Sequence, residues 1–323
     1  MKIWGLIHTW NLRNREQSKA LSPVNDSTLS KEHWLIVIQR NPRSGSGAGR
    51  KELLILIRTL RSAGYKVRMF RSRQALDSYL AVPENSCHLR CIVAAGGDGT
   101  VADVANRHPG RPIAVLPLGT ENLLAHYLNL PRCGRTLAQV IVVGKIRNFD
   151  SATANGRRFL LMLSAGVDGN IVHAIHAVRR GTIRRIGYVI PTLRAFLSSR
   201  LNLICASTPD GSQAATGTHV IVTNIPRYGF ALEFAPEAIP DDGLLDVRVY
   251  HGTTRRQIFW HAIRLKLGLP LNAGEFTKFR ATQVTLESRD RTPVSGVQVD
   301  GDPCSALPVI VVVEPKSLCV LVR

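Results

Sequence analysis

The run Ala94-Ala95-Gly96-Gly97-Asp98-Gly99-Thr100 follows the apolar stretch Cys91-Ile92-Val93, which is the order of a buried strand breaking into a glycine-rich turn. Glycines let a backbone come close to a phosphate, and consecutive N–H groups can cradle its oxygens. An aspartate in such a turn repels phosphate, so Asp98 makes sense if it orients a metal, a ribose hydroxyl or a water. A plain strand-to-helix turn competes with this, but the number of specified residues after the strand favours phosphate. Two further loops have related chemistry. Asn41-Pro42-Arg43-Ser44-Gly45 follows the apolar run 34–38; Ser44 can donate to phosphate and Gly45 permits close approach. Gly119-Thr120-Glu121-Asn122 follows the apolar run 113–116. Thr120 can cap the helix that starts there and contact phosphate or ribose. No Gly-Lys-Ser/Thr follows, so the spacing is not that of a P-loop.

Two acidic stretches lie later in the chain. Pro236-Glu237-Ala238-Ile239-Pro240-Asp241-Asp242-Gly243-Leu244-Leu245-Asp246 would give a hard cation one carboxylate plus backbone carbonyls, or it is a tight turn before a strand. Asp300-Gly301-Asp302 puts two carboxylates in one bend, where one near a bound hydroxyl could take its proton during phosphoryl transfer. Spacing alone favours a hairpin turn with solvated acids. No Ser/His/Asp hydrolase arrangement and no histidine metal cluster stands out; His173 and His176 read as surface or packing residues on a helix.

The elements that must position these loops follow from periodicity. Strands at 34–38, 66–70, 91–95 and 113–116 alternate with helices at 53–63, 74–80, after the Gly-Gly-Asp loop through 104, from 123, and 136–143. Four strand–loop–helix units predict an open parallel α/β domain over 33–150. Ligands of such sheets bind beyond the carboxyl ends of the strands, and all three loops lie there. After Asp150 the pattern turns to strands at 159–164, 201–207, 219–223, 245–250, 283–287 and 294–299, with helices at 171–178, 187–197 and 255–267. A β-rich second domain over 151–305, a sandwich or curled sheet, is expected. Strands at 309–313 and 318–322 would return residues 306–323 to the first domain. Residues 1–32 form an extension in which Ile3, Trp4, Ile7 and Trp10 can share a helical face, suited either to a membrane interface or to a poorly ordered arm.

The chain has 323 residues, 45% of them hydrophobic, which suits a globular protein of two domains. Its 42 basic and 23 acidic residues give a formal charge of +19, favouring anionic partners: nucleic acid, an anionic bilayer or a phosphorylated ligand. Basic pairs occur at Arg179-Arg180, Arg184-Arg185 and Arg255-Arg256, without an aromatic-basic nucleic-acid motif. Of the six cysteines, Cys87 and Cys91 stand four apart with no second pair to complete a zinc site. Free thiols, the lack of an apolar run of spanning length and the lack of a secretory signal predict a cytoplasmic protein.

Taken in order, Asn41–Gly45, Gly96–Thr100 with Asn106, Pro117–Asn122, Gly166 with Asp168, Asn224 with Gly229, Pro236 to Asp246 and Asp300-Gly301-Asp302 resemble the diacylglycerol kinase catalytic family, bacterial lipid kinases above all, with sphingosine and ceramide kinases more distant. The resemblance covers about 33–322. Gly-Gly-Asp-Gly-Thr alone is shared with NAD kinases; the full series is far more specific. The resemblance implies a nucleotide-binding α/β domain, a β-rich lipid-facing domain and ATP between them. ATP would be held by Asn41, Pro42, Arg43, Ser44, Gly45, Gly96, Gly97, Asp98, Gly99, Thr100, Val101, Ala102, Asp103, Gly119, Thr120 and Asn122, with Ser72 a looser match. Magnesium would take the Asp242 carboxylate and the carbonyls of Ile239 and Leu244. Asp302 would be the proton acceptor, Asp300 its essential neighbour, and Asp98 would arrange a metal-bound water, with Asp150 in the same carboxylate network. Four positions depart from the family. Leu123 stands where many members have aspartate, Glu121 where the residue is commonly small, and Asp103 and Asp302 where glutamate is usual.

The expectation is therefore an ATP- and Mg²⁺-dependent kinase that phosphorylates the hydroxyl of a diacylglycerol-like or sphingoid lipid. It would sit peripherally on an anionic membrane, without nucleic acid, and with a homodimer left open. A soluble NAD kinase-like enzyme and a catalytically impaired lipid- or nucleotide-binding homologue are the alternatives. The Asn-Pro-x-Ser-Gly loop and the Asp-Asp-Gly-Leu-Leu-Asp run argue against the first; Leu123 motivates the second.

Overall fold

The computed structural model describes residues 34–42, 49–178, 189–199, 201–228, 232–269, 271–272, 274–289 and 296–323. The N-terminal extension, Arg43, Ser44, Gly45, Gly229 and the pairs Arg179-Arg180 and Arg184-Arg185 lie outside them.

The first half alternates strands and helices: β1 (Leu35–Arg40), α1 (Gly49–Ser62), β2 (Lys66–Phe70), α2 (Arg73–Leu80), α3 (Pro83–Ser86), β3 (Leu89–Gly96), α4 (Asp98–Arg107), β4 (Ile113–Pro117), α5 (Leu123–Tyr127) and α6 (Gly134–Val143). The strands lie parallel in the order β2-β1-β3-β4. The unbroken apolar runs of β1 and β3 are what a strand covered on both faces requires; Ile36, Val37, Ile38, Ile92 and Val93 are fully buried. Leu53, Leu56 and Leu60 form the buried stripe of α1, spaced to keep one face on the core.

The second half runs β5 (Ile146–Ala154), β6 (Arg157–Phe159), β7 (Met162–Gly166), α7 (Val167–Val178), α8 (Val189–Ser198), β8 (Ile204–Ser207), β9 (Ala214–Gly217), β10 (His219–Thr223), β11 (Arg227–Tyr228), β12 (Leu232–Glu233), β13 (Leu245–Tyr250), α9 (Arg255–Lys266), β14 (Phe276–Ala281), β15 (Gln283–Ser288), β16 (Val297–Val299), β17 (Asp302–Pro303) and β18 (Val309–Leu321). One antiparallel sheet has the order β14-β13-β10-β7-β16-β17. Opposite it, β18, β15, β8 and β9 continue the sheet that begins with the parallel strands, joined where Val320 pairs with Ile113. Alternate residues of the two sheets meet inside: Leu163, Val220, Val222, Val247 and Val249 against Ile204, Ala206, Val284, Leu286, Val309 and Val311. The architecture is thus a parallel α/β sheet with a β-sandwich.

Three sequence expectations differ from this structure. A boundary after Asp150 falls inside the continuous strand β5, which the sequence reading left unassigned. Its mixed composition hides it, because β5 is specified by β18, 160 residues later, with Ala152 paired to Val313. A single strand over 159–164 is interrupted at Leu160 and Leu161, whose N–H groups go to the Asp300 carboxylate instead of a neighbouring strand. The two final strands are one, β18, with a bulge between Glu314 and Leu318.

Candidate active site

Three loops meet at the carboxyl ends of β1, β3 and β4, and backbone bonds tie them together. Asn41 N–H donates to the Ala95 carbonyl at 3.2 Å, and the N–H groups of Leu118 and Gly119 donate to the Gly96 carbonyl at 2.8 and 3.2 Å. Asn41 Nδ2 donates to Thr100 Oγ1 at 3.3 Å. Gly97 and Gly119 face each other so closely that a Cβ on Gly119 would run into the Gly97 Cα. Only glycine admits that approach. Asn122, in the left-handed region at φ 52°, closes the second loop on itself: its Oδ1 accepts from Gly119 N–H at 2.8 Å and its Nδ2 donates to the Gly119 carbonyl at 2.9 Å. Arg132 braces the loop by donating to the carbonyls of Pro117 and Gly119, both at 2.9 Å. Beside it opens a cleft of about 370 Å³ walled by Pro117, Thr120, Asn122, His126, Asn129 and Arg132.

The cap of α5 is not Thr120, as the sequence suggested. Asp98 does that work from another loop: its carboxylate accepts from Leu123 N–H at 3.0 Å and Leu124 N–H at 3.2 Å. Burial pushes the Asp98 carboxyl up, these two bonds oppose the shift, and the charge of Glu121 adds to it. Leu123 buries its side chain in the apolar core, so aspartate's usual place is taken by a packing residue while Glu121 supplies a carboxylate nearby.

From the second half, Asp300 and Gly301 turn β16 into β17 with φ 49° and 85°, the two positive values of a tight hairpin. The hairpin was expected; its acids are not both solvated. Asp300 accepts from the N–H groups of Leu160, Leu161 and Met162 at 2.7, 2.9 and 3.0 Å. Burial pushes its carboxyl up to about 6, against the pull of those three bonds, and the negative charge of Asp98 pushes the same way. The charge of the glycine-rich turn of the first half therefore acts on the acidic turn of the second. Asp302 stands beyond them, half-exposed, with the Arg157 guanidinium 3.9 Å from its carboxylate.

A polar network holds this turn from below. Gln298, fully buried, accepts from Gly301 N–H at 2.8 Å and donates to Ser164 Oγ at 2.8 Å and Asp168 at 3.2 Å. Ser164 in turn donates to Asp168 at 2.5 Å. Sequence reasoning missed Gln298 and Ser164; a lone glutamine in the apolar run Val297-Gln298-Val299 was the one available signal. Asn224 donates to the Asp150 carbonyl at 2.8 Å, while its own buried side-chain oxygen has no partner.

The acidic loop 236–246 is pinned by Asp150, whose carboxylate accepts from Gly243 N–H and Lys316 N–H, both at 2.7 Å. Asp242 accepts from Leu244 N–H at 3.0 Å and is ion-paired to Arg280, which also reaches Asp246 at 3.4 Å. Ile239 is exposed. The expected magnesium set of Asp242 with the Ile239 and Leu244 carbonyls thus has its one carboxylate already neutralised by a guanidinium from β14. Among the described residues no three metal-binding side chains cluster.

The remaining predicted residues divide. Val101 is buried in the core and Ala102 packs against it. Asp103 is paired to Arg73 at 3.2 Å and Arg107 at 2.9 Å. Ser72 caps α2, accepting from Ala75 N–H at 3.3 Å. Pro42 is exposed beside Asn41.

Glycine-rich loops at the carboxyl ends of a parallel sheet, beside a β-sandwich that carries an acidic turn, give the chain its two-domain form. Residues 33–154 match the family model of the diacylglycerol kinase catalytic domain, and residues 162–322 match that of the YegS C-terminal NAD kinase beta sandwich-like domain. The chain is 26% identical over 215 residues to a probable lipid kinase YegS-like protein of Serratia proteamaculans, covering 64% of this chain and 70% of that one. It is 23% identical over 274 residues to the diacylglycerol kinase of Bacillus subtilis, covering 83% and 89%. A crystal structure of a diacylglycerol kinase from Bacillus anthracis str. Sterne superposes with a TM-score of 0.65 at 21% identity, covering 90% of this chain and 97% of that one, a likeness of fold. The chain belongs to the diacylglycerol kinase catalytic family.

Proposed function

We propose that this protein is a lipid kinase that moves the γ-phosphoryl group of ATP to the hydroxyl of a diacylglycerol-like or sphingoid lipid at an anionic, cytoplasmic membrane surface. The observation that carries the reading is the set of glycine-rich loops gathered at the strand ends, with Gly97 against Gly119; the charge of Asp98 also acts on Asp300 of the second half. In this reading the triphosphate lies against the Gly97–Gly119 contact and the N–H groups at the start of α4. Asn41, Thr100 and Asn122 shape the loops around it. A magnesium ion arriving with ATP would supply charge neutralisation on the phosphoryl oxygens. Asp302 takes the proton of the lipid hydroxyl, whose oxygen forms a bond to the γ-phosphorus as the bond to the β–γ bridging oxygen breaks and ADP departs. Asp300 is a positioning residue: it fixes the turn that presents Asp302. Alignment of the reacting groups in a cleft shielded from water supplies most of the acceleration.

Transfer of radiolabel from γ-labelled ATP to a panel of lipids, with Asp98→Ala and Asp302→Ala as controls, tests this. Labelled lipid from the wild type and none from Asp302→Ala is expected. ATP binding with no labelled lipid, or label passing only to NAD, overturns it.

A further inference from the structure

Helix α9 shows solvent the face a helix normally hides. A capping box sets its start: Thr254 N–H donates to Gln257 Oε1 at 3.1 Å and Gln257 N–H donates to Thr254 Oγ1 at 3.3 Å. Its inner side, with buried His261 and half-buried Leu265, packs on Tyr250 and Phe276 at the outer face of the six-stranded sheet. At 100° per residue, Arg256, Phe259, Trp260, Ile263 and Leu267 fall on the opposite stripe. Phe259 and Trp260 are 51% and 52% exposed, and Leu267 and Leu269 are also open. On α8, Leu193 and Leu197, one turn apart, are exposed too. Arg255 ties the two helices by donating to the Ser199 carbonyl at 2.9 Å.

Half of the large apolar residues that are exposed among the described residues thus lie on two short helices and the turn that follows α9. Scattered apolar residues need no explanation; a patch of aromatic and leucine side chains does. The charge around it selects the occupant. Residues 255–269 carry Arg255, Arg256 and Lys266, besides Arg264, which is paired to Glu275 at 2.9 Å, and residues 189–199 add Arg194 and no acid. Apolar rings ringed by cations suit the boundary between phosphate headgroups and acyl chains. The patch also adjoins the reactive lobe: α8 packs on α7, and α7 packs on β16 and β17, the hairpin that carries Asp300 and Asp302.

We propose that α9, the turn to Leu269 and the exposed leucines of α8 dock this protein on an anionic bilayer. Phe259, Trp260 and Leu267 lie among the acyl-chain ends, and Arg256 and Lys266 lie at the headgroup phosphates. The inference rests on the lipid-kinase reading for its purpose, but binding is read without turnover.

The full chain is sedimented with vesicles of phosphatidylcholine and phosphatidylglycerol, and with vesicles of phosphatidylcholine alone, in the absence of ATP. The wild type is expected to bind the anionic vesicles. The double variant Phe259→Ser/Trp260→Ser is expected to bind them at least about tenfold more weakly, and Arg256→Glu/Lys266→Glu to lose the salt-sensitive part. Leu54→Ser/Met69→Ser, at exposed apolar positions of α1 and β2, should bind as the wild type does, and thermal unfolding checks that each variant is folded. Equal binding by wild type and the aromatic variant, no binding by the wild type, or conversion of a wild-type dimer to monomer with vesicle binding unchanged each overturns the inference. Vesicle binding that follows this pattern, with no phosphate transferred to any lipid, supports the docking inference and sinks the kinase reading alone.

Discussion

Replacing Asp300 separates its two jobs, holding a turn and serving chemistry. Its carboxylate accepts three N–H bonds from Leu160, Leu161 and Met162, residues no more than 3% exposed. Alanine leaves three buried donors without an acceptor, at about 1.5–3 kcal/mol each for bonds to a charged group. Against this stands the cost of keeping the carboxylate ionised: a carboxyl pushed from 3.8 to about 6 gives back about 3 kcal/mol at neutral pH when it is removed. The balance for Asp300→Ala is a loss of about 3 kcal/mol. Asparagine tolerates the left-handed backbone at φ 49° and keeps one oxygen with two lone pairs, so it forfeits about one bond and the charge cost together. Asp300→Asn should therefore cost about 1 kcal/mol. With a melting temperature falling about 2–4 °C per kcal/mol for a unit of this size, the alanine variant should melt roughly 10 °C lower and the asparagine variant about 3 °C lower in a thermal scan at neutral pH. An alanine shift under about 2 °C, or an asparagine shift larger than that of alanine, would refute the account of this turn as a buried hydrogen-bond clamp.

The same residue makes stability depend on acid. Its folded pKa near 6 lies above the usual 3.8, so the folded chain keeps a proton that the unfolded chain has released between pH about 4 and 6. The contribution is fully present below about pH 4 and is lost as pH rises through about 6; urea midpoints across that window should fall in the wild type and flatten in Asp300→Asn. Gly119→Ala drives a methyl into Gly97 and should weaken ATP binding about tenfold or more in a calorimetric titration, with about 1–3 kcal/mol lost from overpacking. Arg280→Ala leaves Asp242 and Asp246 facing each other without their shared cation. Its melting temperature should rise on adding Mg²⁺ without nucleotide, where the wild type's does not. Asp302→Ala should lower kcat by about 10²–10⁴-fold, the worth of a general base, while the Kd for ATP stays unchanged.

What the sequence determined by itself was local. Continuous apolar runs marked β1, β3 and β4 as buried strands, periodicity placed α1, α2 and α9 within a few residues, and the glycines marked the tight turns at the strand ends, since each signal lies within one element or one turn. Tertiary structure decided what depends on distant partners. β5 exists because β18 lies beside it. Asp98 is a cap because α5, twenty-five residues on, offers two N–H groups. Asp242 is spoken for because β14 brings Arg280 across. Asp103, which a motif alone would send toward a nucleotide, is turned to Arg73 and Arg107, brought within reach by the fold around α4 and β3. A residue's type limits the bonds it can make, but the pairing that satisfies a buried carboxylate or an edge strand is chosen by whatever the fold sets within about 3 Å of it. That choice is made between segments, not within them.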